Sequence, residues 1–172
     1  FEQEAPLGPD GKKGRNSSLL ASLEFSRRHL SPAARAALPW LGLFNGGVFE
    51  AVLLDLSQLT PEDWEPIRRE LQGIALVRPE DEIRIGDRPF LRFHPTLASA
   101  AADGTLAQQP EIRKRFIQVY VALMKTLDQA LKGPQARAAL AILDREEANY
   151  RTAVRWAIAE RLVRVGAALG ET

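Results

Sequence analysis

The stretch GIALVRPEDEIRIGDRPFLRF, residues 73–93, decides how this chain folds. Its apolar residues fall into three short groups, separated by Pro79-Glu80-Asp81 and by Gly86-Asp87, both of which favour turns. Short apolar groups with such breakers between them are typical of strands that pair through turns. The stretch therefore predicts a small β-hairpin or sheet inside a chain whose remaining periodicity is helical.

Helices are predicted on both sides of these strands, each from a start signal or an apolar stripe. The predicted spans are 17–30, 33–44, 48–56 and 61–72 before the strands and 96–102 after them. Ser31-Pro32 and Thr60-Pro61 each place a capping hydroxyl before a proline at the first helical position. Because helices followed by a β-hairpin wing define the winged-helix arrangement, we predict a winged-helix domain over residues 17–104. Residues 1–16, with three glycines and two prolines, predict a flexible arm or linker.

Residues 105–172 predict two long helices that form an antiparallel hairpin. Each repeats apolar residues along one face: Ile112, Phe116, Val119, Leu123, Leu127 and Leu131 in the first, and Leu140, Leu143, Tyr150, Val154 and Ile158 in the second. A tight turn at Gly133-Pro134 joins them, which favours antiparallel packing. The stretch 162–169 keeps an apolar face with no further helix to cover it, as expected for a hairpin that leads into a helical-repeat array.

The composition indicates a soluble, cytoplasmic protein. The 172 residues are 45% apolar, which is enough for one domain or for a small domain with a helical appendage. No apolar run reaches the roughly 18 residues of a membrane span, and the start does not have the pattern of a signal peptide. The 23 basic and 22 acidic residues give a net charge of +1, so the overall charge favours neither nucleic acid nor anionic lipid. Because the chain begins at Phe1, we expect it to be an excerpt from a longer polypeptide.

The residues indicate neither a catalytic nor a metal site. There is no cysteine, and His29 and His94 are the only imidazoles. Neither Gly-x-Ser-x-Gly nor His-Glu-x-x-His occurs, and the glycine-lysine segment 8–14 lacks the spacing and the Ser or Thr of a phosphate-binding loop. We assign His29 no function. His94 follows the last strand, where a side chain can face a neighbouring domain, although the simpler interpretation is a local cap of the helix that follows.

Winged helices often bind DNA, but the charges of the fourth helix and the wing oppose it here. Residues 61–72 hold four acids and two arginines, and the wing carries Glu80, Asp81, Glu82 and Asp87. Phosphate binding needs Lys and Arg on the contacting face, so we expect this face to repel DNA. The basic residues collect on the late helices: Arg113, Lys114, Arg115, Arg145, Arg151, Arg155, Arg161 and Arg164. Glu146, Glu147 and Glu160 lie among them, so we interpret that surface as a solvated helix face.

Asn149 and Trp156 stand out inside the last long helix. Asparagine is a poor helix-interior residue, so its presence there predicts a side-chain hydrogen bond across a helix interface. Trp156 is expected to supply core area in the same contact, with its N–H bonded to an acceptor or water. We assign both residues a structural role.

Three segments of the chain resemble a known family. Residues 19–50, which include Leu30-Ser31-Pro32 and Phe44-Asn45-Gly46-Gly47, look like the winged-helix domain of STAND-class NTPases, the group that contains the NB-ARC proteins. Residues 91–97, LRFHPTL, resemble the His-x-x-Leu segment of that family. Residues 143–157, LDREEANYRTAVRWA, are similar to the lead-in to tetratricopeptide repeats in bacterial members. The resemblance covers nearly the whole chain after residue 16.

The resemblance implies a non-catalytic regulatory fragment of a STAND-class signalling NTPase. In the family, a histidine at the position of His94 can contact the β-phosphate of ADP and hold the nucleotide-binding domain closed, so His94 is the expected nucleotide sensor. Pro95 departs from the Met-His-Asp form of the motif, so no role of that aspartate is carried over. The implied cofactors are none in this fragment and ADP or ATP with Mg in the full-length protein. The implied partners are the nucleotide-binding domain of the same chain and a protein or small ligand on the repeats, with no membrane and no nucleic acid.

Two alternatives stay open from the residues alone. One is a DNA-binding winged-helix transcription regulator, and the other is a helical-repeat adaptor that binds a protein partner. A Walker loop in the reading frame upstream of Phe1 would favour the NTPase over both.

Overall fold

The computed structural model describes residues 30–97 and 105–170, with side chains up to residue 161. Its helices are α1 (Pro32–Leu41), α2 (Glu50–Ser57), α3 (Pro61–Gly73), α4 (Pro110–Leu131) and α5 (Ala136–Gly170), with a short 3-10 turn at Leu106–Gln108. Its strands are β1 (Gly47–Phe49), β2 (Val77–Ile85) and β3 (Arg88–Phe93). The predicted arm at 1–16, almost all of the predicted helix at 17–30 and most of the predicted helix at 96–102 lie outside the described residues.

The predicted fold class, mainly helical with a small sheet, is confirmed. The elements run α1-β1-α2-α3-β2-β3, and the three strands form an antiparallel sheet in the order β1-β3-β2. Val48 pairs with Leu91, and Val77 pairs with Phe93. This is the winged-helix arrangement, with β2 and β3 as the wing, and α4 and α5 follow it as a helical hairpin.

The predicted start signals cap α1 and α3. The Ser31 hydroxyl accepts a hydrogen bond from Ala34 N–H at 3.1 Å, and Thr60 does the same for Asp63 N–H at 3.1 Å. Ser31 also donates its N–H and its O–H to the two carboxylate oxygens of Glu70, at 2.6 and 2.7 Å. The cap of α1 therefore also fixes α1 against α3.

The predicted third helix, 48–56, begins too early, because Gly47–Phe49 is a strand. Helix α2 starts only at Glu50. Val48 and Phe49 suit a strand as well as an apolar helix, so local preference does not decide between them. Pairing with β3 decides that they form a strand. Gly47 lies so close to β3 that a Cβ at this position would come within 2.6 Å of Leu91 O.

The predicted turn at Pro79-Glu80-Asp81 is also wrong, since these residues lie within β2. Pro79 is tolerated because β2 is an edge strand, and the pairing with β3 is irregular between Glu80 and Arg84. The predicted turn at Gly86-Asp87 is confirmed, with Gly86 at a φ of +63°.

The predicted strand residues 74–76 instead end α3. Ala75 adopts a left-handed φ of 57°, and Leu76 N–H donates to Leu71 O at 3.0 Å. Ala75 N–H donates to Gln72 O at 2.9 Å, which completes a Schellman-type helix end. The first strand of the wing therefore begins only at Val77.

The predicted antiparallel hairpin is present, but its inward face differs from the prediction. Phe116 packs on Trp156 with ring centroids 4.9 Å apart, and Tyr120 packs on Tyr150 at 5.0 Å. Of the predicted face on α5, Leu140, Val154 and Ile158 are more than half exposed. The buried residues of α5 are Ala139, Ile142, Glu146, Asn149, Thr152 and Ala153. The apolar stripe did not predict this face because three of its buried positions, Glu146, Asn149 and Thr152, are polar.

One hydrophobic core continues from the winged helix into the hairpin. Phe44, at the end of the α1 region, packs on Phe116 of α4 with centroids 5.6 Å apart. Phe49 packs edge-on against Phe90 at 5.1 Å within the sheet. Within the described part of the chain, no helix is both long enough and apolar enough to cross a bilayer.

We expect Gly47→Ala to destabilise the fold, because the added methyl group would lie 2.6 Å from the Leu91 carbonyl and from Phe90 ring atoms. Overpacking of this kind costs about 1 to 3 kcal/mol. Chemical denaturation would measure it, with Gly73→Ala as the control, since a Cβ at Gly73 meets nothing within 4 Å. Equal stability of the two variants would contradict the close approach of β1 to β3.

Candidate functional site

Asn149 lies at the contact between the hairpin and the winged helix. It is fully buried, and its Oδ1 accepts a hydrogen bond from Asn45 N–H at 2.7 Å. Its Nδ2 donates to Gly47 O at 2.9 Å and to Glu146 Oε2 at 2.7 Å. The predicted buried hydrogen bond of Asn149 is therefore present, but it reaches the backbone around β1 rather than a facing helix.

Glu146 completes this contact one helical turn earlier. It is fully buried, and its Oε1 accepts from Phe49 N–H at 2.8 Å. Its Oε2 accepts from the Tyr120 hydroxyl at 2.7 Å and from Asn149. We call the set Asn45, Gly47, Phe49, Glu146 and Asn149 the α5–β1 junction. It joins the segment Phe44-Asn45-Gly46-Gly47 directly to the segment 143–157.

The junction pairs the free edge of the sheet. β1 has β3 on one side only, and Gly47 and Phe49 direct C=O and N–H groups to the other side, toward α5. An edge strand normally leaves such groups to water or to another strand. Here two side chains of α5 take the place of a neighbouring strand, so the backbone groups are satisfied inside the core.

Burial shifts the titration of the groups at the junction. Burial raises the pKa of the Glu146 carboxyl, although the bonds from Tyr120, Asn149 and Phe49 N–H act in the opposite direction. Burial, followed by the charge of Glu146, raises the pKa of Tyr120 and of Tyr150 above the ordinary value for tyrosine.

A second contact joins α5 to the wing. The Arg145 guanidinium bonds Glu80 of β2, lies 3.5 Å from Glu82 and stacks 5.6 Å from the centre of the Phe90 ring. Arg92 also donates to Glu80. The hydrogen bond from Arg92 is the largest effect on the Glu80 carboxyl and, together with the bond from Arg145, lowers its pKa to about 2. Burial acts in the opposite direction.

The prediction of a solvated face is wrong for Arg145 and Glu146. Both lie against the winged helix, whereas Glu147 is exposed and pairs with Arg151 at 2.6 Å. From sequence alone, a charged residue one position away from a predicted apolar stripe is expected to face solvent. The signal that could have identified Glu146 is its spacing of three residues from Asn149, which places both side chains on one helix face.

Trp156 extends the same face of α5. Its ring is partly buried against Phe116, and the Arg113 guanidinium lies 5.6 Å from its centre. It therefore supplies packing between α4 and α5, one turn beyond the junction rather than in the contact that Asn149 makes.

His94 is exposed at the end of β3. Its ring Nδ1 lies 2.7 Å from the Thr96 hydroxyl and accepts from Thr96 N–H at 3.3 Å. Its backbone N–H donates to Leu76 O, and the preceding Phe93 N–H donates to Gly46 O, both at 2.9 Å. His94 caps the turn that follows it through Nδ1, and its side chain is exposed. Its neighbour Phe93 therefore bonds Gly46, which lies between Asn45 and Gly47 of the α5–β1 junction.

The face formed by α3 and the wing is neutralised by ion pairs. Its arginines each lie within 4 Å of a carboxylate, as Arg68 does to Glu65 and Glu50, and Arg84 does to Asp81. The remaining arginines of this face, Arg69, Arg78, Arg88 and Arg92, pair in the same way. The prediction of an acidic wing thus left out the arginines that pair with its carboxylates. Even so, no arginine on this face is left unpaired for a phosphate group within the described ranges.

Among the residues that the structure describes, no group of three His, Asp or Glu side chains could hold a metal ion. No protein-family model, curated protein or solved structure matches this chain.

We expect Asn149→Asp to be more destabilising than Asn149→Ala at neutral pH. Alanine leaves buried backbone groups unpaired, which costs about 2 to 4 kcal/mol. Aspartate keeps one acceptor but turns an oxygen toward Gly47 O and the Glu146 carboxylate. That repulsion should decline as the pH falls, because the two acids can then share a proton. Urea denaturation at pH 7.5 and pH 5 would measure it, with Glu147→Gln as the exposed control; equal losses for the two Asn149 variants would refute the arrangement.

Glu80 should stabilise the fold in a pH-dependent way. Because its pKa in the folded state lies below the ordinary value of 4.5, its contribution is present above pH 4.5 and is lost as the pH falls toward about 2. The stability difference between the wild type and Glu80→Gln, about 1 kcal/mol at neutral pH, should shrink over that window. Acid titration of thermal stability would measure it, and Glu82→Gln, at a side chain that is 80% exposed, serves as the control. A difference that stays constant down to pH 2 would contradict this role.

Proposed function

We propose that this chain is a non-catalytic regulatory segment of a STAND-class signalling NTPase, in which a winged helix couples a nucleotide-binding core to a helical-repeat sensor. The observation that carries the proposal is that the three family-like segments meet. Asn149, in the segment 143–157, bonds Asn45 and Gly47, and Gly46 between them bonds Phe93, next to His94. These bonds give a signal on the repeats a short route to the expected nucleotide sensor.

The nature of these bonds supports mechanical coupling. They join α5 to backbone atoms of the winged helix, so α5 cannot rotate without moving Asn45–Phe49 or leaving buried groups unpaired. Arg145 adds a bond to the wing from the same helical turn. A displacement of the hairpin is therefore expected to shift β1, and with it the end of β3 that carries His94.

His94 is the residue through which the nucleotide would act. It lies beside a surface groove of about 610 Å³, whose rim also holds Arg78 and Arg92. Arg78 and Arg92 are already paired with Glu80, so the exposed imidazole of His94 is the group of this rim that is suited to bond a phosphate. In the full-length cytoplasmic protein, ADP or ATP with Mg would be held mainly by the nucleotide-binding domain, and His94 would add a contact in the closed, ADP-bound state.

A helical-repeat adaptor is the alternative that a specific observation favours. Val121 and Met124 on α4, and Leu140, Val154 and Ile158 on α5, are exposed apolar side chains. Such residues suit contact with further helices or with a protein partner. The DNA-binding alternative has less support, because the arginines on the α3 and wing face are paired with carboxylates.

The proposal predicts that His94→Ala in the full-length protein speeds ADP release and raises basal signalling. Loss of one charge-assisted contact to a phosphate corresponds to roughly a tenfold weaker retention of ADP. Nucleotide dissociation, followed with a fluorescent ADP analogue, would measure it. Gln72→Ala, in the same groove, is the matched control and should leave retention unchanged. Retention and signalling that are unaffected by His94→Ala would end the sensor role.

A further inference from the structure

The carboxyl group of Glu146 is buried, and the coupling proposed above assigns no role to its ionisation. All three of its hydrogen-bond donors are uncharged: Phe49 N–H from β1, the Tyr120 hydroxyl from α4 and the Asn149 amide from α5. Within residues 30–97 and 105–161, no Lys, Arg or His forms an ion pair with it. Burial of a carboxylate without a cation is costly even when it is hydrogen-bonded.

The neighbouring cations serve other groups. Arg145, the next residue in sequence, bonds Glu80 on the wing. Arg151 pairs with Glu147 on the outer side of α5, and Arg155 donates to the Thr152 hydroxyl. Among the residues that the structure describes, only neutral donors therefore offset the burial cost of the Glu146 charge.

We infer that Glu146 is a proton-binding site that links the contact between the hairpin and the winged helix to pH. When α5 lies on β1, Glu146 is enclosed; when α5 separates from β1, water reaches it and the ionised form loses its burial cost. The docked form therefore holds a proton more tightly than the separated form, and acid strengthens docking. This concerns the α5–β1 junction itself and does not depend on the NTPase assignment.

The surroundings can accommodate the proton. The Tyr120 oxygen lies 2.7 Å from Oε2 and can accept a bond from a protonated Glu146 after its own O–H rotates. Tyr150 packs edge-on against Tyr120, and its buried hydroxyl has no hydrogen-bond partner in the described part of the chain.

Glu146 is the carboxyl group at the junction, and burial raises its pKa above the ordinary value. The other titratable groups that face it are Tyr120 and Tyr150, and burial raises the pKa of both phenols. The strand β1 (Gly47–Phe49) donates a backbone N–H to it and carries no titratable side chain. Because the pKa of Glu146 is raised in the docked form, docking is strongest below its ordinary pKa and weakens as the pH rises through the docked-state pKa. Glu80 acts at lower pH and does not affect this window.

Amide hydrogen exchange tests the link in this chain as it stands. Phe49 N–H reports the junction because it donates to Glu146, and Leu76 N–H, bonded to Leu71 O, reports the winged helix alone. We expect the protection factor of Phe49 to rise as the pH falls from 8 to 5, by up to about tenfold per pH unit below the docked-state pKa. Leu76 should change less, and Glu146→Gln should abolish the rise at Phe49.

A direct titration keeps the test independent of how well that variant folds. The side-chain carboxyl carbon of Glu146, followed by NMR in the wild type, should titrate at higher pH than that of the exposed Glu147. The inference fails if Glu146 titrates at or below Glu147. It also fails if the pH dependence at Phe49 persists in Glu146→Gln, or if Phe49 and Leu76 change equally, since the proton would then be linked to global unfolding.

Discussion

β1 has a strand on one side and a helix on the other, and the arrangement of the whole molecule depends on how that second side is satisfied. Gly47 C=O and Phe49 N–H bond the side chains of Asn149 and Glu146 at 2.9 and 2.8 Å. Leaving such groups unpaired inside the core costs more than the bonds themselves contribute. The position of the hairpin on the winged helix is therefore set by polar groups, while the continuous apolar core supplies most of the driving force.

One turn of α5 contacts both outer strands of the sheet. Glu146 and Asn149 bond β1, and Arg145 bonds Glu80 of β2. These two strands do not pair with each other, since β3 lies between them. A helix that contacts both edges restrains the sheet more than contact with one edge would, which is why α5 is suited to transmit movement in the proposed coupling.

The two buried carboxylates of the described structure have different surroundings. Glu50 accepts from the Trp64 N–H at 2.6 Å and has Arg68 and Arg88 within 4 Å. Glu146 has only neutral donors in the described part of the chain. Cations offset the burial of the first charge inside the winged helix, whereas the second lies where two parts of the structure meet. This difference in surroundings makes Glu146 the carboxylate whose protonation depends on the contact between them.

The sequence by itself determined the elements whose signals are local. Ser31-Pro32 and Thr60-Pro61 start helices, Gly86-Asp87 turns the wing, and the spacing from Phe116 to Leu127 forms α4, because caps, turns and helical stripes need only neighbouring residues. Only the tertiary structure decided that Val48 and Phe49 are a strand, that Pro79 lies within β2, and that Glu146 and Arg145 face inward. Each of these depends on a partner distant in sequence: Leu91 for Val48, β3 for Pro79, Phe49 N–H for Glu146 and Glu80 for Arg145. Asn149 lies between the two cases, since its unusual place in a helix predicted a buried bond, but its partners, Asn45 and Gly47, became known only when the chain had folded.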